Sequence, residues 1–294
     1  MSAHLKQDEP VTSNRLDGMK QGIVGQPLSR VDGLAKVTGT APYAAEYKID
    51  NVAEGVLVTA PITRGEVASI DKDSVLSMPG VLAVLNDERL TTRAAQGTAN
   101  EAPQQDPATV CYWGQPIAVV VAETFEQARD AAKHLKVEYR VHEGAPLDPH
   151  QVTPEEQEDE TVNQGNLDAA MARAAHTVDV EIATEGHASA AMEPHAAIAE
   201  WRDDKLTVHA SLQMPNYNIA ELADSLGIEE SDIRLVSRYV GGGFGSKLGV
   251  SEETVAAAIA ARELGRPVRV VMSRQQVFQF IMRRSETTQK LRLA

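Results

Sequence analysis

The first half of the chain contains an unbroken apolar run, Pro116-Ile-Ala-Val-Val-Val-Ala122. A run of this kind is typical of a strand that is buried on both faces. Thr124 follows at once and has the character of a helix N-cap, so we predict a helix that ends at His134. Residues Leu135–Arg140 then alternate between apolar and polar, which indicates the next strand.

The same signals predict a mixture of strands and helices along the rest of the chain, and therefore an α+β fold class. Before residue 116 we predict strands at Val52–Ala60, Val67–Ile70 and Val81–Leu85, and a short helix capped by Asp71 or Asp73. After residue 165 we predict helices near Leu167–Ala175, at Pro215–Leu226, after the N-cap Ser251 and at Arg274–Arg284, and strands at Thr177–Thr184, His195–Trp201, Leu206–Leu212, Ile233–Val240 and Val268–Met272. Glycines and prolines at residues 24–43 indicate turns there rather than a helix.

Charge and composition change this picture mainly at residues 141–165. The chain has a net charge of −14, which argues against a nucleic-acid partner because phosphate binding needs basic patches. Seven of its acids and no Lys or Arg lie in 141–165, among three prolines. We predict a solvated linker at 146–165, with an acidic docking strip as the weaker interpretation. This linker separates a domain at 24–145 from another at 166–294. We also predict a flexible tail at 1–23 and an exposed loop at 86–110.

One cysteine and the polar N-terminus limit the classes of protein further. Cys111 alone allows no internal disulfide and no cysteine-ligated iron–sulfur cluster on this chain, and we interpret it as a small buried hydrophobe. No apolar signal region and no run long enough to span a membrane is visible in the sequence. We therefore expect a cytoplasmic protein, with co-export to the periplasm beside a signal-bearing partner as the alternative.

A glycine-rich segment, Gly241-Gly-Gly-Phe-Gly-Ser-Lys247, follows the strand predicted at Ile233–Val240. Such a loop lets backbone N–H groups approach a ligand closely, and we interpret it as a cofactor loop. It fits neither phosphate-binding pattern, since Ser246 occupies the position where a Walker loop and a dinucleotide fingerprint each need another residue. A nucleotide-binding α/β enzyme is therefore the weaker hypothesis.

Three residues, His187, Glu193 and His195, could act as metal ligands. Pro194 lies between two of them and no helical ligand spacing is present, so structural histidines are the better interpretation. No nucleophile elbow or catalytic triad stands out in the sequence.

Five blocks of sequence together resemble the molybdenum-binding subunit of the xanthine dehydrogenase and aldehyde oxidase family, in its bacterial aldehyde oxidoreductase form. They occur in the family's order over residues 23–294. The blocks are Arg30-Val-Asp-Gly-Leu-Ala-Lys-Val-Thr-Gly-Thr-Ala-Pro-Tyr43, Gly114-Gln-Pro-Ile-Ala-Val-Val-Val-Ala-Glu123, Met192-Glu-Pro-His195, Gln213 and Val240-Gly-Gly-Gly-Phe-Gly245.

The resemblance implies an α/β-hammerhead domain at 24–145 and the first part of a molybdopterin-binding domain at 166–294. It also implies an oxidoreductase that hydroxylates aldehydes or related carbon centres with oxygen from water. The cofactor would be molybdopterin, in the cytosine dinucleotide form, with molybdenum held by its dithiolene and by no protein ligand. Electrons would pass to iron–sulfur clusters and FAD on partner subunits.

The resemblance also assigns roles to single residues. Gln213 lies thirty-one residues before Phe244, as in the family, where this Gln hydrogen-bonds the oxo ligand of molybdenum. Gly242, Gly243, Phe244 and Gly245 would contact the pterin. Purine-oxidising members carry a Glu at the position of Leu248, so this apolar residue favours aldehydes.

No residue of this chain matches the catalytic Glu that acts as general base in the family. We therefore expect a C-terminal molybdopterin-binding polypeptide to supply it, beside the iron–sulfur and FAD subunits. The alternative is a non-catalytic remnant or assembly module that docks those subunits without turnover.

Overall fold

The computed structural model describes residues 22, 25–90, 108–144, 162 and 164–294. The tail at 1–23 lies almost entirely outside these residues, and so do most of the acidic linker at 146–165 and most of the loop at 86–110. Those three predictions are therefore not tested. The described residues up to Ala41 form one compact unit, and those from Pro42 onward form another.

Helices and strands alternate irregularly through the described residues, which confirms the α+β class. The α-helices are α1 (Gly33–Val37), α2 (Asp73–Leu76), α3 (Phe125–His134), α4 (Leu167–Met171), α5 (Pro215–Leu226), α6 (Glu252–Leu264) and α7 (Arg274–Phe280). The strands are β1 (Ala53–Thr59), β2 (Gly65–Asp71), β3 (Val81–Leu85), β4 (Thr109–Val110), β5 (Pro116–Ala122), β6 (Lys136–Val141), β7 (Val178–Thr184), β8 (His187–Ala188), β9 (Ala196–Arg202), β10 (Lys205–Ala210), β11 (Ile233–Val236), β12 (Val268–Val271), β13 (Arg283–Arg284) and β14 (Thr287–Leu293). In this part of the chain no helix is long and apolar enough to cross a membrane.

The largest sheet has the strand order β11-β10-β9-β12-β1-β5-β3. Strand β10 pairs with β11 in parallel, and β1 pairs with β12 in parallel, while the other neighbours are antiparallel. Strands β1, β3 and β5 precede the acidic segment and the other four follow it. One sheet therefore takes strands from both predicted domains, and the boundary at 146–165 remains a prediction.

The core of this sheet is made by β5 and by α6. Every residue of β5 is buried, as expected of an unbroken apolar run that is covered on both faces. Helix α6 is alanine-rich and its first ten residues are buried, because small side chains let the helix approach the sheet closely. The indole Nε1 of Trp201 on β9 donates to the Ala258 carbonyl of this helix at 2.8 Å.

Local capping signals were accurate at α3 and less so at α6. The Thr124 hydroxyl accepts from the Gln127 N–H at 3.3 Å, and the Gln127 side chain accepts from the Thr124 N–H at 3.1 Å, which is a complete capping box. Ser251 occupies the N-cap position of α6, but its side chain makes no capping hydrogen bond. Gly265 ends α6 in the left-handed conformation, as its position predicts.

Two predictions from local composition are wrong. Residues 33–37 form helix α1 and not only turns, because Gly33 starts the helix and Lys36 pairs with Asp32 at 2.8 Å. Cys111 is exposed and not a buried hydrophobe, since it lies in the connection between β4 and β5 rather than in a strand.

Two further elements end earlier than predicted, and one strand was not predicted. The strand predicted to reach Val240 ends at Val236, because the Ser237 hydroxyl bonds to both backbone groups of Leu212 instead. The helix predicted to reach Arg284 ends at Phe280. Ile281, the next residue, is buried and has an extended backbone conformation. Strand β14 was not predicted, and it pairs with β7 in an antiparallel ribbon.

Candidate functional site

The glycine loop and Gln213 are brought together by two parallel strands. Gln213 follows β10, the loop follows β11, and these two strands are neighbours. Parallel strands end at the same edge of a sheet, so the segments that leave them share that edge. The Ser237 hydroxyl joins the two segments by its bonds to Leu212 at 3.0 and 3.1 Å.

The loop backbone takes conformations that only some residues tolerate. Gly242 has a φ of 101°, which glycine adopts without a Cβ penalty. Phe244 has a φ of 51°, a conformation that is uncommon for a residue with a side chain. The Phe244 ring is 75% exposed. Such a held, exposed aromatic side chain is typical of a functional loop.

Gln213 is locked to this loop by its carbonyl oxygen. The Oε1 atom accepts from the Gly245 N–H at 3.0 Å and from the Lys247 N–H at 3.4 Å, and the Gln213 N–H donates to the Lys247 carbonyl at 2.7 Å. A Cβ atom on Gly243 would lie 2.2 Å from Oε1, so only glycine allows this approach. Gln213 is exposed, and its Nε2 group donates to no described residue.

A buried ammonium group fixes the end of the loop. Lys247 is fully buried, and its Nζ donates to the Glu193 carbonyl at 3.0 Å, to Glu193 Oε2 at 3.1 Å and to the Ser211 hydroxyl at 2.8 Å. These three acceptors match the three N–H groups of the ammonium. Burial lowers the pKa of Lys247, and the Glu193 carboxylate opposes this effect.

Glu193 holds the start of the loop with the same carboxylate. Its Oε2 atom accepts from the Gly241 N–H at 2.7 Å and from the Ser211 hydroxyl at 2.5 Å. The loop is therefore fastened at Gly241 and at Lys247 by one side chain, which is 11% exposed. Sequence reasoning weighed Glu193 only as a metal ligand, although a Lys that ends a glycine segment is itself a signal for a buried acidic partner.

His195 and His187 do not meet at a metal site. His195 is fully buried and donates through Nε2 to the Ser246 carbonyl at 2.9 Å, while burial lowers its pKa to about 4. A carbonyl only accepts, so the neutral Nε2–H tautomer is the one present. His187 is exposed on β8. Among the described residues no group of three His, Cys, Asp or Glu side chains could hold a metal ion.

Helix α5 positions the residues after the loop, which the sequence did not indicate. Asn218 is buried, and its Nδ2 donates to the Leu248 carbonyl at 2.7 Å and to Glu221 at 2.8 Å. The Glu221 carboxylate also accepts from the Val250 N–H at 3.0 Å. The backbone from the Leu248 carbonyl to the Val250 N–H is therefore bound to α5, and Leu248 lines a cleft.

Phe244 lines two clefts that meet the loop. One has a volume of about 730 Å³ and is bordered by Tyr43, Met192 and Gly242. The other has a volume of about 550 Å³ and is bordered by Leu248 and by the strands β8 and β13. Both are large enough for a small organic cofactor or substrate.

These residues fit a planar polar cofactor such as a pterin. The N–H groups of Gly242, Gly243 and Phe244 donate to no described residue, whereas the Gly245 N–H is used by Gln213. The Cβ-free edge of the loop lets a ligand approach that backbone, and the Phe244 ring offers an apolar face beside it.

Comparison with protein families covers nearly the whole described chain. A family described as "Molybdopterin cofactor-binding domain" matches residues 147–294. A second, described as "Aldehyde oxidase and xanthine dehydrogenase, a/b hammerhead domain", matches residues 38–143.

Single relatives agree with these families. The aldehyde oxidoreductase molybdenum-binding subunit PaoC of Escherichia coli is 38% identical over 98% of this chain, which spans 40% of that relative's length. The aldehyde oxidoreductase from Desulfovibrio gigas has a TM-score of 0.74 at 25% identity, over 87% of this chain and 31% of its own. Quinoline 2-oxidoreductase from Pseudomonas putida 86 shares the fold, with a TM-score of 0.79 at 23% identity over 91% of this chain and 37% of its own.

Proposed function

Because the chain belongs to the family of molybdenum-binding subunits of aldehyde oxidases and xanthine dehydrogenases, we propose that it forms one wall of the molybdenum-cofactor pocket of an aldehyde-oxidising enzyme. In the proposed reaction the aldehyde carbon gains an oxygen atom from water, and two electrons and two protons leave. The observation that carries the proposal is the lock of Gln213 Oε1 onto the N–H groups of Gly245 and Lys247.

This lock gives Gln213 a defined direction. With Oε1 held by the loop, the Nε2 group is the free donor of the carboxamide, and it would donate to an oxygen atom of the bound cofactor. The side chain adds no charge to the pocket, so it orients the cofactor without neutralising it. When bound, the molybdenum cofactor supplies the two-electron oxidation and the oxygen transfer that protein side chains cannot perform.

The glycine loop would hold the pterin. The N–H groups of Gly242, Gly243 and Phe244 would donate to its polar edge, and the Phe244 ring would cover part of its face. Gly245 contributes by holding Gln213 and by leaving its own Cβ position open, since nothing lies within 4 Å of it.

Leu248 points to the substrate class. It lines the same cleft as Phe244 and Gly245 and has no group that could bind the polar edge of a purine. An apolar wall favours aldehydes, because a site without matching polar groups discriminates poorly in favour of a polar heterocycle.

The remaining parts of the enzyme are proposed from the family resemblance of the sequence and from the relatives' lengths. The chain spans 40% of the E. coli subunit, so a further molybdopterin-binding polypeptide would supply the general-base Glu and most contacts to a cytosine dinucleotide. Partner subunits with iron–sulfur clusters and FAD would take the electrons. We place the assembled enzyme in the cytoplasm.

The proposal is tested by co-expressing the chain with the part of the E. coli subunit that lies outside the match and with that enzyme's other subunits. We expect the purified complex to contain molybdenum and pterin and to reduce a dye when an aldehyde is added. A complex with neither, and with no aldehyde-dependent reduction, would contradict the proposal and favour the assembly module.

The role of Gln213 is tested in the same complex with Gln213→Ala and with Gln275→Ala as the control, an exposed Gln on α7. We expect Gln213→Ala to keep its molybdenum and to lose roughly a hundredfold in kcat, as for other preorganised donors. The control should match the unaltered protein. Equal kcat in both variants would show that Gln213 does not act on the cofactor.

A further inference from the structure

Leu248 is the one residue of the fully described segment 246–250 that is not buried. It lines the cleft of about 550 Å³ beside Phe244, while the residues on either side of it are packed inside the protein. These five described residues lie in no helix or strand, so their backbone groups need partners from elsewhere. The place of the Leu248 side chain in the cleft therefore depends on the groups that hold its backbone.

Asn218 on α5 holds the Leu248 backbone from the buried side. Its Nδ2 group donates to the Leu248 carbonyl at 2.7 Å and to Glu221 Oε2 at 2.8 Å. One NH2 group thus serves two acceptors, which is its full capacity as a donor. Asn218 is itself fully buried. The carbonyl of the residue that lines the cleft is therefore bound to α5 by a side chain that does not reach the cleft.

The arrangement of acceptors shows that the donors of Asn218 matter and its oxygen does not. The Leu248 carbonyl and the Glu221 carboxylate only accept, and Glu221 Oε2 also accepts from the Val250 N–H at 3.0 Å. The carboxamide must therefore turn its Nδ2 group towards them. Its Oδ1 atom is buried and accepts from no described residue. Such an unsatisfied buried atom needs an explanation, and the two hydrogen bonds of Nδ2 supply it.

Loss of the Asn218 donors would release the wall of the cleft. The Leu248 carbonyl and the Glu221 carboxylate would be left as buried acceptors without the donor that joins them, which is unfavourable. The segment 246–250 would shift to reach other partners, and Leu248 would move with it. A site selects substrates by size only as far as its walls stay in place, and a displacement of about 1 Å changes rates strongly.

We propose that Asn218 is a positioning residue for substrate selection. By fixing the Leu248 backbone it sets the width of the cleft, so that aldehydes on a narrow carbon chain are preferred over aldehydes on a broad fused-ring body. This rests on the proposed function, in which Leu248 borders the substrate. Asn218 acts through Leu248 and does not contact the substrate, because it is fully buried.

The first test compares the kcat/KM of the assembled complex for butanal, a narrow aldehyde, and for 1-naphthaldehyde, a broad one. Asn218→Leu keeps the branched shape of the side chain and removes both donors. Ser225→Ala is the matched control, since Ser225 is also buried on α5 and its hydroxyl donates to the Glu221 carbonyl at 2.7 Å rather than to residues 246–250. Leu248→Ala, alone and combined with Asn218→Leu, completes a double-mutant cycle.

We expect the unaltered complex to prefer butanal. Asn218→Leu should reduce this preference at least about tenfold, within the range that an apolar pocket contributes to discrimination, and Ser225→Ala should leave it unchanged. In the Leu248→Ala background, Asn218→Leu should change the preference less than about twofold, because the side chain through which it acts is absent. A merely structural role for Asn218 would lower kcat/KM for both aldehydes alike and leave their ratio unchanged.

The second test is hydrogen exchange on the isolated full chain, which needs no cofactor. The Val250 amide, which donates to Glu221, should be protected in the unaltered chain and in Ser225→Ala. In Asn218→Leu it should exchange at least about tenfold faster, since local opening of the segment becomes easier. The measurement on the unaltered chain decides whether the segment is held even if Asn218→Leu does not fold.

Three results would overturn the inference. These are an unchanged ratio of kcat/KM in Asn218→Leu, an equal change of that ratio with and without the Leu248 side chain, or a Val250 amide that exchanges in the unaltered chain as fast as one open to solvent. Failure of the proposed function is distinct, since the complex would then hold no molybdenum and oxidise neither aldehyde. The role in selection would fall with it, while hydrogen exchange would still test the hold of Asn218 on the segment.

Discussion

The ammonium group of Lys247 is fully buried, and it is stable there because three hydrogen-bond acceptors surround it. Glu193 supplies two of them and also holds Gly241, so this ion pair belongs to the glycine loop as much as to the core. Removing one partner of such a pair leaves the other charge buried and unpaired, which costs more than the pair contributes.

Lys247→Met tests this role of the ion pair. We expect a loss of about 3–5 kcal/mol in the free energy of unfolding, because Glu193 is left without its cation. Urea denaturation of the isolated chain measures it. Lys290→Met is the matched control, since it removes an exposed ion pair to Glu181 and should cost less than about 1 kcal/mol. Equal losses in both variants would refute the account.

His195 makes stability depend on pH in a predictable direction. Its pKa falls from 6.5 to about 4 on burial, so the folded chain keeps it neutral where the unfolded chain would protonate it. The contribution is complete above pH 6.5 and is lost as pH falls toward 4, by about 1.4 kcal/mol per pH unit.

Urea denaturation between pH 4 and pH 7 measures this loss, with His195→Gln as the comparison. The amide of that variant can still donate to the Ser246 carbonyl but does not titrate. We expect a shallower slope of stability against pH in the variant below pH 6.5. Identical slopes would show that His195 is protonated in the folded state.

At the scale of elements, the glycine loop depends on the side chain of Gln213, which lies in the segment after strand β10. Gly243→Ala tests this contact, because its Cβ would lie 2.2 Å from Gln213 Oε1. Displacing that carboxamide should cost about 1–3 kcal/mol, the usual range for overpacking. Gly186→Ala is the control, since its nearest neighbour would be the Arg284 carbonyl at 3.6 Å.

A double-mutant cycle sharpens the test of Gly243. In the Gln213→Ala background the clash is absent, so Gly243→Ala should cost much less there than in the unaltered chain. Urea denaturation of the four variants gives the coupling energy. Additive effects would mean that the alanine strains the backbone rather than the glutamine.

Elements with local signals could be predicted from the sequence, and elements that depend on distant pairing could not. Strand β5 and helix α3 match the prediction residue for residue, because an apolar run and a capping box each consist of residues that are close together in the sequence. Strand β14 has little apolar content and exists through its pairing with β7, more than a hundred residues away. Ser237 ended its strand early for the same reason, since its partner Leu212 is distant.

At the scale of the whole molecule, the large sheet contains strands from both of the domains that the sequence predicts on either side of residues 146–165. Arg269 on β12 is ion-paired with Glu54 on β1 and donates to the Ala45 carbonyl at 3.0 Å. The parallel pair β1–β12 therefore lies at the centre of the sheet, and strands from both sides of residues 146–165 share one core. Such a core is expected to unfold as one unit.

Hydrogen exchange measured at increasing urea tests this cooperativity. We expect the amides of β5 and β9 to share one opening free energy, equal to that of global unfolding. Amides of β7 and β14 in the isolated chain should open with a smaller free energy, since these two strands pair with no other strand among the described residues. Separate opening energies for β5 and β9 would show that the segments before and after residues 146–165 fold independently.

In the candidate site, too, some contacts could be predicted from the sequence and others could not. The approach of Gln213 to the glycine loop agrees with the spacing that the family resemblance implied. The burial of Lys247, and the hold of Asn218 and Glu221 on the backbone around Leu248, depend on how three elements pack. No spacing in the sequence contains that information.

The hydrogen bonds that the N–H groups of the glycine loop donate to Glu193 and Gln213 have a thermodynamic consequence for any ligand that binds there. Fixing a backbone residue costs roughly 1–2 kcal/mol of conformational entropy, and here most of that cost belongs to folding rather than to association. A ligand then meets a surface that is already formed, and little of its binding energy is used to order the chain. The entropy of binding at this loop should therefore come mainly from released water and from the ligand itself. The protein backbone should contribute little to it.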